Sequence, residues 1–344
     1  MRKYKLLVLT DHALHRSYES LYPLLSEMAM HPLCERIDVA SRGLPENDSF
    51  FHEHNSEEIF VHQLKEGFEF SNRRQFFGAK PERKRPGSYD WILLRIPRPN
   101  PEPLFKFIAS VWGTEKVINN PLNIHELGSK AYLLNFKKLC PPMHLTYHLE
   151  EILKFRKKYP IVLKPLFQSG GRGIIKIAGN TVWEGNQSLS LEAYLPTLEQ
   201  NSRNGYLIMK YLENVDEGDK RIIVVDGNIM GSVLRVPRDN SWLCNAHQGG
   251  ISILSRVDQD ELKIIEKIDP VMKKHGIIFY GIDTLMGDHG KRVLSEINAS
   301  NAGGILPAEI VSGEAVISRT SKALWEYILS KEKIKLQILD ANTL

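Results

Sequence analysis

The chain has 344 residues, 42% hydrophobic and 25% charged, which fits about two compact units with cores of their own and excludes a disordered or fibrous polypeptide. Its 45 Lys and Arg against 41 Asp and Glu leave a net charge of +4, enough to favour anionic small ligands and far short of a nucleic-acid-binding surface. Three cysteines without paired spacing, Cys34, Cys140 and Cys244, argue against a disulfide framework or a zinc site.

In chain order, the run 5–9 is short, apolar and closed by Thr10 and Asp11, as a buried parallel strand is before its loop. A helical pattern follows over 18–30, then strands at 37–40 and 91–94, a helix over 104–111 and a strand at 117–118, an alternation that predicts a doubly wound α/β unit over 1–122. Within it, 72–88 is rich in Arg, Lys, Pro and Gly and reads as a solvated loop. From residue 123 the pattern changes. Helices are expected at 124–138 and 149–158, and strands at 161–166, 173–177, 206–212, 221–226 and 229–236. Turns such as Asp226-Gly227 point to antiparallel sheet. A helix at 262–274, strands at 277–285 and 292–299, and a closing amphipathic helix at 314–330 complete the chain. The start has no signal-peptide pattern and no stretch approaches ~20 apolar residues, so a cytoplasmic chain without membrane spans is expected. The twelve histidines carry no metal-ligating spacing.

Three groupings carry chemistry. The first is Lys164 inside the apolar run 161–166, followed by Gly170, Gly171, Arg172 and Gly173. A lysine so placed needs an anion, and a glycine-rich turn lets backbone N–H groups converge on phosphate oxygens; a tight hairpin needing positive φ is the plainer alternative. It is not a P-loop, because Gly-x-x-x-x-Gly-Lys-Ser/Thr is missing. The second grouping is Asp283 with Glu296 and Asn298 on the next strand. Period two places Glu296 and Asn298 on one face with Ile297 toward the core, and a hairpin lets Asp283 share that face. Two carboxylates and a carboxamide are hard oxygen donors that suit Mg²⁺, with an ordinary polar sheet face as the alternative. The third is basic: Lys220, Arg221 and Arg235 stand in or beside apolar strands. There each arginine needs an anionic partner, either a structural carboxylate or one from a substrate.

Taken as a set, Val162-Leu-Lys164-Pro, the glycines 170–173, Gly218-Asp-Lys-Arg-Ile-Ile-Val-Val-Asp-Gly227, Leu234-Arg-Val-Pro237, Asn245 with Gly249-Gly250, Gly281-Ile-Asp283 and Glu296-Ile-Asn298 resemble the ATP-grasp ligases, and among them the bacterial glutathione synthetases. Asn119-Asn-Pro121 followed by Lys130 is similar to the stretch that opens their ATP-grasp region. The likeness is close over 117–310 and looser before it, where 89–95 carries it. It implies an N-terminal substrate-binding α/β domain over 1–122, then an ATP-grasp domain of two α+β subdomains over 123–344, with a lid subdomain at about 147–205.

The resemblance also implies ATP with Mg²⁺ as cofactors, Mn²⁺ being the second candidate ion. Lys130 and Lys164 would meet the phosphates, under a lid made by Ser169, Gly170, Gly171 and Gly173. Met209, Lys210, Tyr211 and Leu212 would run along the adenine, Asp219 would belong to the nucleotide site, and Asp283, Glu296 and Asn298 would hold the metal. Arg221, Arg235, Asn245 and Gly250 would form the catalytic set around the transferred phosphoryl and the tetrahedral intermediate. The implied reaction phosphorylates a carboxylate and lets an amine attack the acyl phosphate, joining γ-glutamylcysteine to glycine while the closed lid excludes water. The partners implied are an acid and an amino acid or peptide amine, with no nucleic acid and no membrane, and the family often forms symmetric homo-oligomers. The chain departs from the family's pattern at 300–304, Ser-Asn-Ala-Gly-Gly where Ser-Pro-Thr-Gly is usual, at 96–99, Ile-Pro-Arg-Pro in place of a run with lysine and aspartate, and at Lys210, where a shorter polar residue is common. Two other readings stand beside the first. One is a ligase for a different amino acid or dipeptide pair. The other is a nucleotide-binding protein without ligase chemistry, against which the joint presence of Lys164, Arg235, Asp283, Glu296 and Asn298 speaks.

Overall fold

The computed structural model of the chain describes residues 2–15, 20–65, 68, 73–168, 170–185, 187–238, 242–244 and 250–341. Two expected site residues, Ser169 and Asn245, lie outside the described residues.

Three sheets organise the chain. The first runs, in spatial order, Glu82–Lys84, Ile59–Gln63, Cys34–Ser41, Tyr4–Thr10, Trp91–Leu94 and Val117–Ile118. Tyr4–Thr10 is parallel to both neighbours, and burial on both faces accounts for its unbroken apolar run. The sheet is not purely parallel, because Ile59–Gln63 and Glu82–Lys84 add antiparallel strands at one edge. That edge corrects the reading of 72–88 as a loop: its described part holds the helix Arg73–Gly78, the strand Glu82–Lys84 and a 3-10 turn at Pro86–Ser88. Pairing with Ile59–Val61 supplies backbone bonds that composition does not announce, and Glu58 and Glu82 meet the charges of Arg83 and Lys84.

The second sheet runs Gln187–Ser190, Thr181–Glu184, Ile175–Ala178, Ile161–Pro165, Tyr206–Lys210 and Met143–Thr146, antiparallel throughout. One face, covered by the helices Leu149–Arg156 and Leu191–Ser202, encloses a separate core that includes Ile152, Leu163, Ile177, Leu198 and Ile208. The other face gives Leu207 and Met209 to a core shared with the rest of the molecule. The third sheet, also antiparallel, runs Ile251–Leu254, Asn228–Val236, Asp219–Val225, Phe279–Met286 and Arg292–Asn298. A capping box of Asp258 and Glu261 opens the helix Gln259–Lys274 beside it.

The expected helix 124–138 is two pieces, Pro121–Leu127 and a 3-10 helix Lys130–Leu139. Ser129 caps the second, its Oγ accepting from the Ala131 N–H, and the break turns Lys130 so that its own N–H reaches Leu166 O at 3.0 Å. The strand expected from residue 173 begins at Ile175, because Gly170, Gly171 and Gly173 all take positive φ and form a turn. The closing helix extends over Val316–Ala341 and packs back on the helix Leu21–Ala29. There Trp325 donates its indole N–H to Met28 O at 3.1 Å and stacks on His31. No described helix is long and apolar enough to cross a membrane.

Candidate active site

A cavity open to solvent lies where the second and third sheets meet. Its walls divide by chemistry. Pro141, Val162, Ile174, Met209, Leu212 and Leu285 make an apolar wall, joined by Tyr211 and Trp242, while Lys164, Asp219, Asp283 and Glu296 bring charge. A ligand with an aromatic base and an anionic tail matches that division.

The acidic face is built by strand register. Asp283 pairs directly with Glu296, and Gly281 with Asn298, so the three oxygen-bearing side chains share one side of the sheet. The register slips just after Asp283. Thr284 faces Leu294, which leaves Ser295 as an unpaired bulge residue. The bulge serves Lys164, whose Nζ donates to Ser295 O at 3.0 Å and to Ser295 Oγ at 2.9 Å. Burial pushes the Lys164 ammonium down from the ordinary lysine range, and Glu296 opposes that shift.

Both arginines reach Asp283. Arg221 makes a two-pronged contact with it, Nη2 to Oδ2 at 2.9 Å, and its Nη1 donates to Gly303 O at 3.0 Å. Arg235 donates from Nε to Asp219 Oδ1 at 2.5 Å and lies 3.1 Å from Asp283 Oδ1. Each guanidinium therefore has a carboxylate of this chain as its partner. Lys220 does as well, through Glu261 at 2.6 Å. Burial opposes ionisation of Asp283, but Arg221 and Arg235 outweigh it and hold the carboxyl well below the usual carboxylate range. At Asp219 burial wins and pushes the carboxyl up, against Arg235. Asn298 Nδ2 lies 3.3 Å from Asp283 Oδ2.

Among the described residues no group of three or more His, Cys, Asp and Glu could hold a metal ion. The candidate set is instead two carboxylates completed by the Asn298 carboxamide. These hard oxygens fit a divalent cation that shares its shell with phosphates, and Glu296 lines the cavity with its side chain 18% exposed.

Lys130 lies beside this set, its Nζ 3.4 Å from Glu296 Oε1 and 2.5 Å from Gln168 O. Arg98, from the loop after Trp91–Leu94, donates to Phe167 O at 3.2 Å and also to Gly128 O. Three successive carbonyls at the root of the glycine turn, Leu166, Phe167 and Gln168, are thus held by the Lys130 N–H, Arg98 and the Lys130 ammonium.

Of the residues singled out in the sequence, Lys164, Met209, Lys210, Tyr211, Leu212, Asp219, Asp283 and Glu296 line the cavity. Lys130 joins them through Glu296, and Arg221, Arg235 and Asn298 through Asp283. Gly170, Gly171, Gly173 and Gly250 are not among the described lining residues. The Lys210 side chain pairs with Asp288 at 2.5 Å. Sequence reasoning missed Ser295, because a bulge disobeys strand period, and Arg98, whose partners lie far along the chain. Asn119 proves to be a brace: its amide donates to Phe279 O and Ala299 O, both at 2.7 Å, and its Oδ1 accepts from the Ile278 and Phe279 N–H groups.

A cleft of this chemistry between two antiparallel α+β layers is that of an ATP-grasp ligase. The family model described as the prokaryotic glutathione synthetase ATP-grasp domain matches residues 129–313, and the chain belongs to that family. A glutathione synthetase of Agrobacterium fabrum is 32% identical over 260 residues, covering 74% of this chain and 76% of the relative. Another, of Rhodopseudomonas palustris, is 28% identical over 260 residues, covering 74% and 77%. Among solved structures, a D-cycloserine synthetase superposes with a TM-score of 0.64 at 13% identity, covering 94% of this chain and 99% of its own. A macrocyclase of Microcystis aeruginosa bound with its precursor peptide superposes at 0.58 and 12%, covering 94% and 99%. These two likenesses concern the fold. The chain is an ADP-forming, ATP-binding ligase.

Proposed function

We propose that the protein is a glutathione synthetase, joining γ-glutamylcysteine to glycine. In this reading a carboxylate oxygen of the acid attacks the γ-phosphorus of ATP and ADP leaves. The glycine nitrogen then attacks the acyl carbon, phosphate departs, and the amine proton is lost. Lys130 and Lys164 move from the carbonyls they now hold onto phosphate oxygens. Arg221 and Arg235 offset the negative charge that gathers at the transferred phosphoryl. The glycine turn, anchored through Arg98 and the Lys130 backbone N–H, covers the phosphates and keeps water from the acyl phosphate. Mg²⁺, with Mn²⁺ as the alternative ion, would be held by Asp283, Glu296 and Asn298 and would neutralise phosphate charge.

The observation that carries this reading is the pairing of Asp283 with Glu296 opposite Lys164, in a chain 32% identical to a glutathione synthetase over three quarters of its length. The test is ADP release by the purified protein with γ-glutamylcysteine and glycine, beside a panel of other acids and amines, with Glu296→Ala as a variant expected to be inactive yet folded. A second reading, a ligase for a different amine, draws on one feature. The departing stretch 300–304 is held by Arg95, bonded to Ala302 O at 2.6 Å, and by Arg221 on Gly303 O. Turnover with another amine and none with glycine would establish the second reading over the first.

A further inference from the structure

We infer that Trp242 forms the wall against which the base of the nucleotide stacks, and that it ties this wall to the second sheet. The inference rests on the cavity being the nucleotide site. Its apolar wall contains two rings, Tyr211 and Trp242. Lys176, from the strand Ile175–Ala178, places its Nζ 3.8 Å from the Tyr211 ring centroid, which commits that ring to a cation contact within the second sheet. Trp242 stands next to it, centroids 6.4 Å apart and planes at 69°. Its indole N–H donates to Gly185 O at 3.1 Å, in the turn between Thr181–Glu184 and Gln187–Ser190.

The indole therefore arrives from the segment between two third-sheet strands, Asn228–Val236 and Ile251–Leu254, and is pinned at its polar atom to the second sheet. Its broad apolar surface is left to line the cavity. An indole whose single donor is already satisfied can offer a ligand its π face and little else. Stacking strength grows with the overlapping ring area, so a two-ring purine gains more from this wall than a one-ring pyrimidine. Lys164 and Lys130 deal with the phosphates whatever the base.

The test is calorimetric titration of ADP, CDP and tripolyphosphate, each with Mg²⁺, into the full chain and its Trp242→Ala and Trp242→Phe variants, with thermal unfolding as a check on folding. Trp242→Ala is expected to bind ADP about 5- to 150-fold more weakly, the span of one aromatic–base stack. The same variant should bind tripolyphosphate as the wild type does and show a smaller gap between ADP and CDP. Trp242→Phe, which keeps a ring and loses the bond to Gly185 O, should lose less. Unchanged ADP binding by Trp242→Ala would overturn the inference. So would a parallel loss of ADP and tripolyphosphate, which marks a distorted site, or a Phe variant as weak as the Ala variant. A wild-type chain that binds tripolyphosphate and ADP equally well would refute base recognition altogether, and one that binds no nucleotide would refute the reading of the cavity itself.

Discussion

Asp283 is a carboxylate with 2% residual exposure, and it exists as an anion because two guanidiniums surround it. Its carboxyl is more acidic in the folded chain than in the unfolded one. Between the two values the unfolded chain holds a proton that the folded chain does not, so acid favours unfolding. The stability that Asp283 contributes is complete above the unfolded carboxyl value of about 3.9 and is lost as pH falls toward the folded value. Asp219 works in the opposite sense, because its carboxyl is shifted up and protonation relieves its burial. Equilibrium unfolding of wild type and Asp283→Asn from about pH 6 down to about pH 3 separates the two: the wild-type curve should fall more steeply below about pH 4, and parallel curves would contradict the assignment. This residue was partly legible in the sequence: period two puts Glu296 and Asn298 on one face, and Asp283 joins them only through the hairpin pairing that the structure supplies. Ser295 was not, because its role arises from a register slip that depends on the partner strand.

At the scale of elements, Gly218 shows how a turn sets the geometry of the arginine–aspartate group. It has φ 87 and ψ 161, a region that only glycine occupies without strain, and a Cβ there would meet Arg235 O at 2.6 Å. Its carbonyl accepts from Arg292 Nη1 at 3.0 Å, and the strand Asp219–Val225 begins at the next residue. Gly218→Ala should cost about 1–3 kcal/mol or more in chemical denaturation and lower kcat, because Asp219 and Arg235 are displaced together. Gly87→Ala, where no neighbouring atom lies within reach of a new Cβ, is the neutral control. Seven strands of the second and third sheets were readable from their turns and apolar runs, whereas Met143–Thr146, Thr181–Glu184 and Ile251–Leu254 were not expected. The edge strands Glu82–Lys84 and Gln187–Ser190 were not, since short, polar and exposed segments become strands only by pairing. The break between Leu127 and Lys130 was not expected, although Gly128 closes the first piece and Ser129 caps the second; the Lys130 N–H that follows bonds Leu166 O in another element.

For the whole molecule, the closing helix joins the two ends of the chain. Trp325 is buried against the first helix, bonded to Met28 and stacked on His31 with ring centroids 4.4 Å apart. Trp325→Ala should destabilise the protein by about 3–5 kcal/mol, measured by denaturant unfolding; a loss below ~1 kcal/mol would mean that the helix is peripheral. The first and third sheets share their hydrophobic clusters while one face of the second sheet keeps a core to itself. The other face of the second sheet, with Leu207 and Met209, joins the shared cluster.

The sequence by itself determined the alternation of elements, the shared face of Glu296 and Asn298, the buried lysine and the glycine turn, because each is a local consequence of side-chain period and backbone freedom. Only the tertiary structure decided which charges neutralise one another. The Arg221–Asp283–Arg235–Asp219 cluster, the Arg98 and Lys130 grip on the turn, and the Trp242 bridge each join residues from separate elements. Burial sets the strength of these contacts, and burial belongs to the packed molecule rather than to any stretch of its chain.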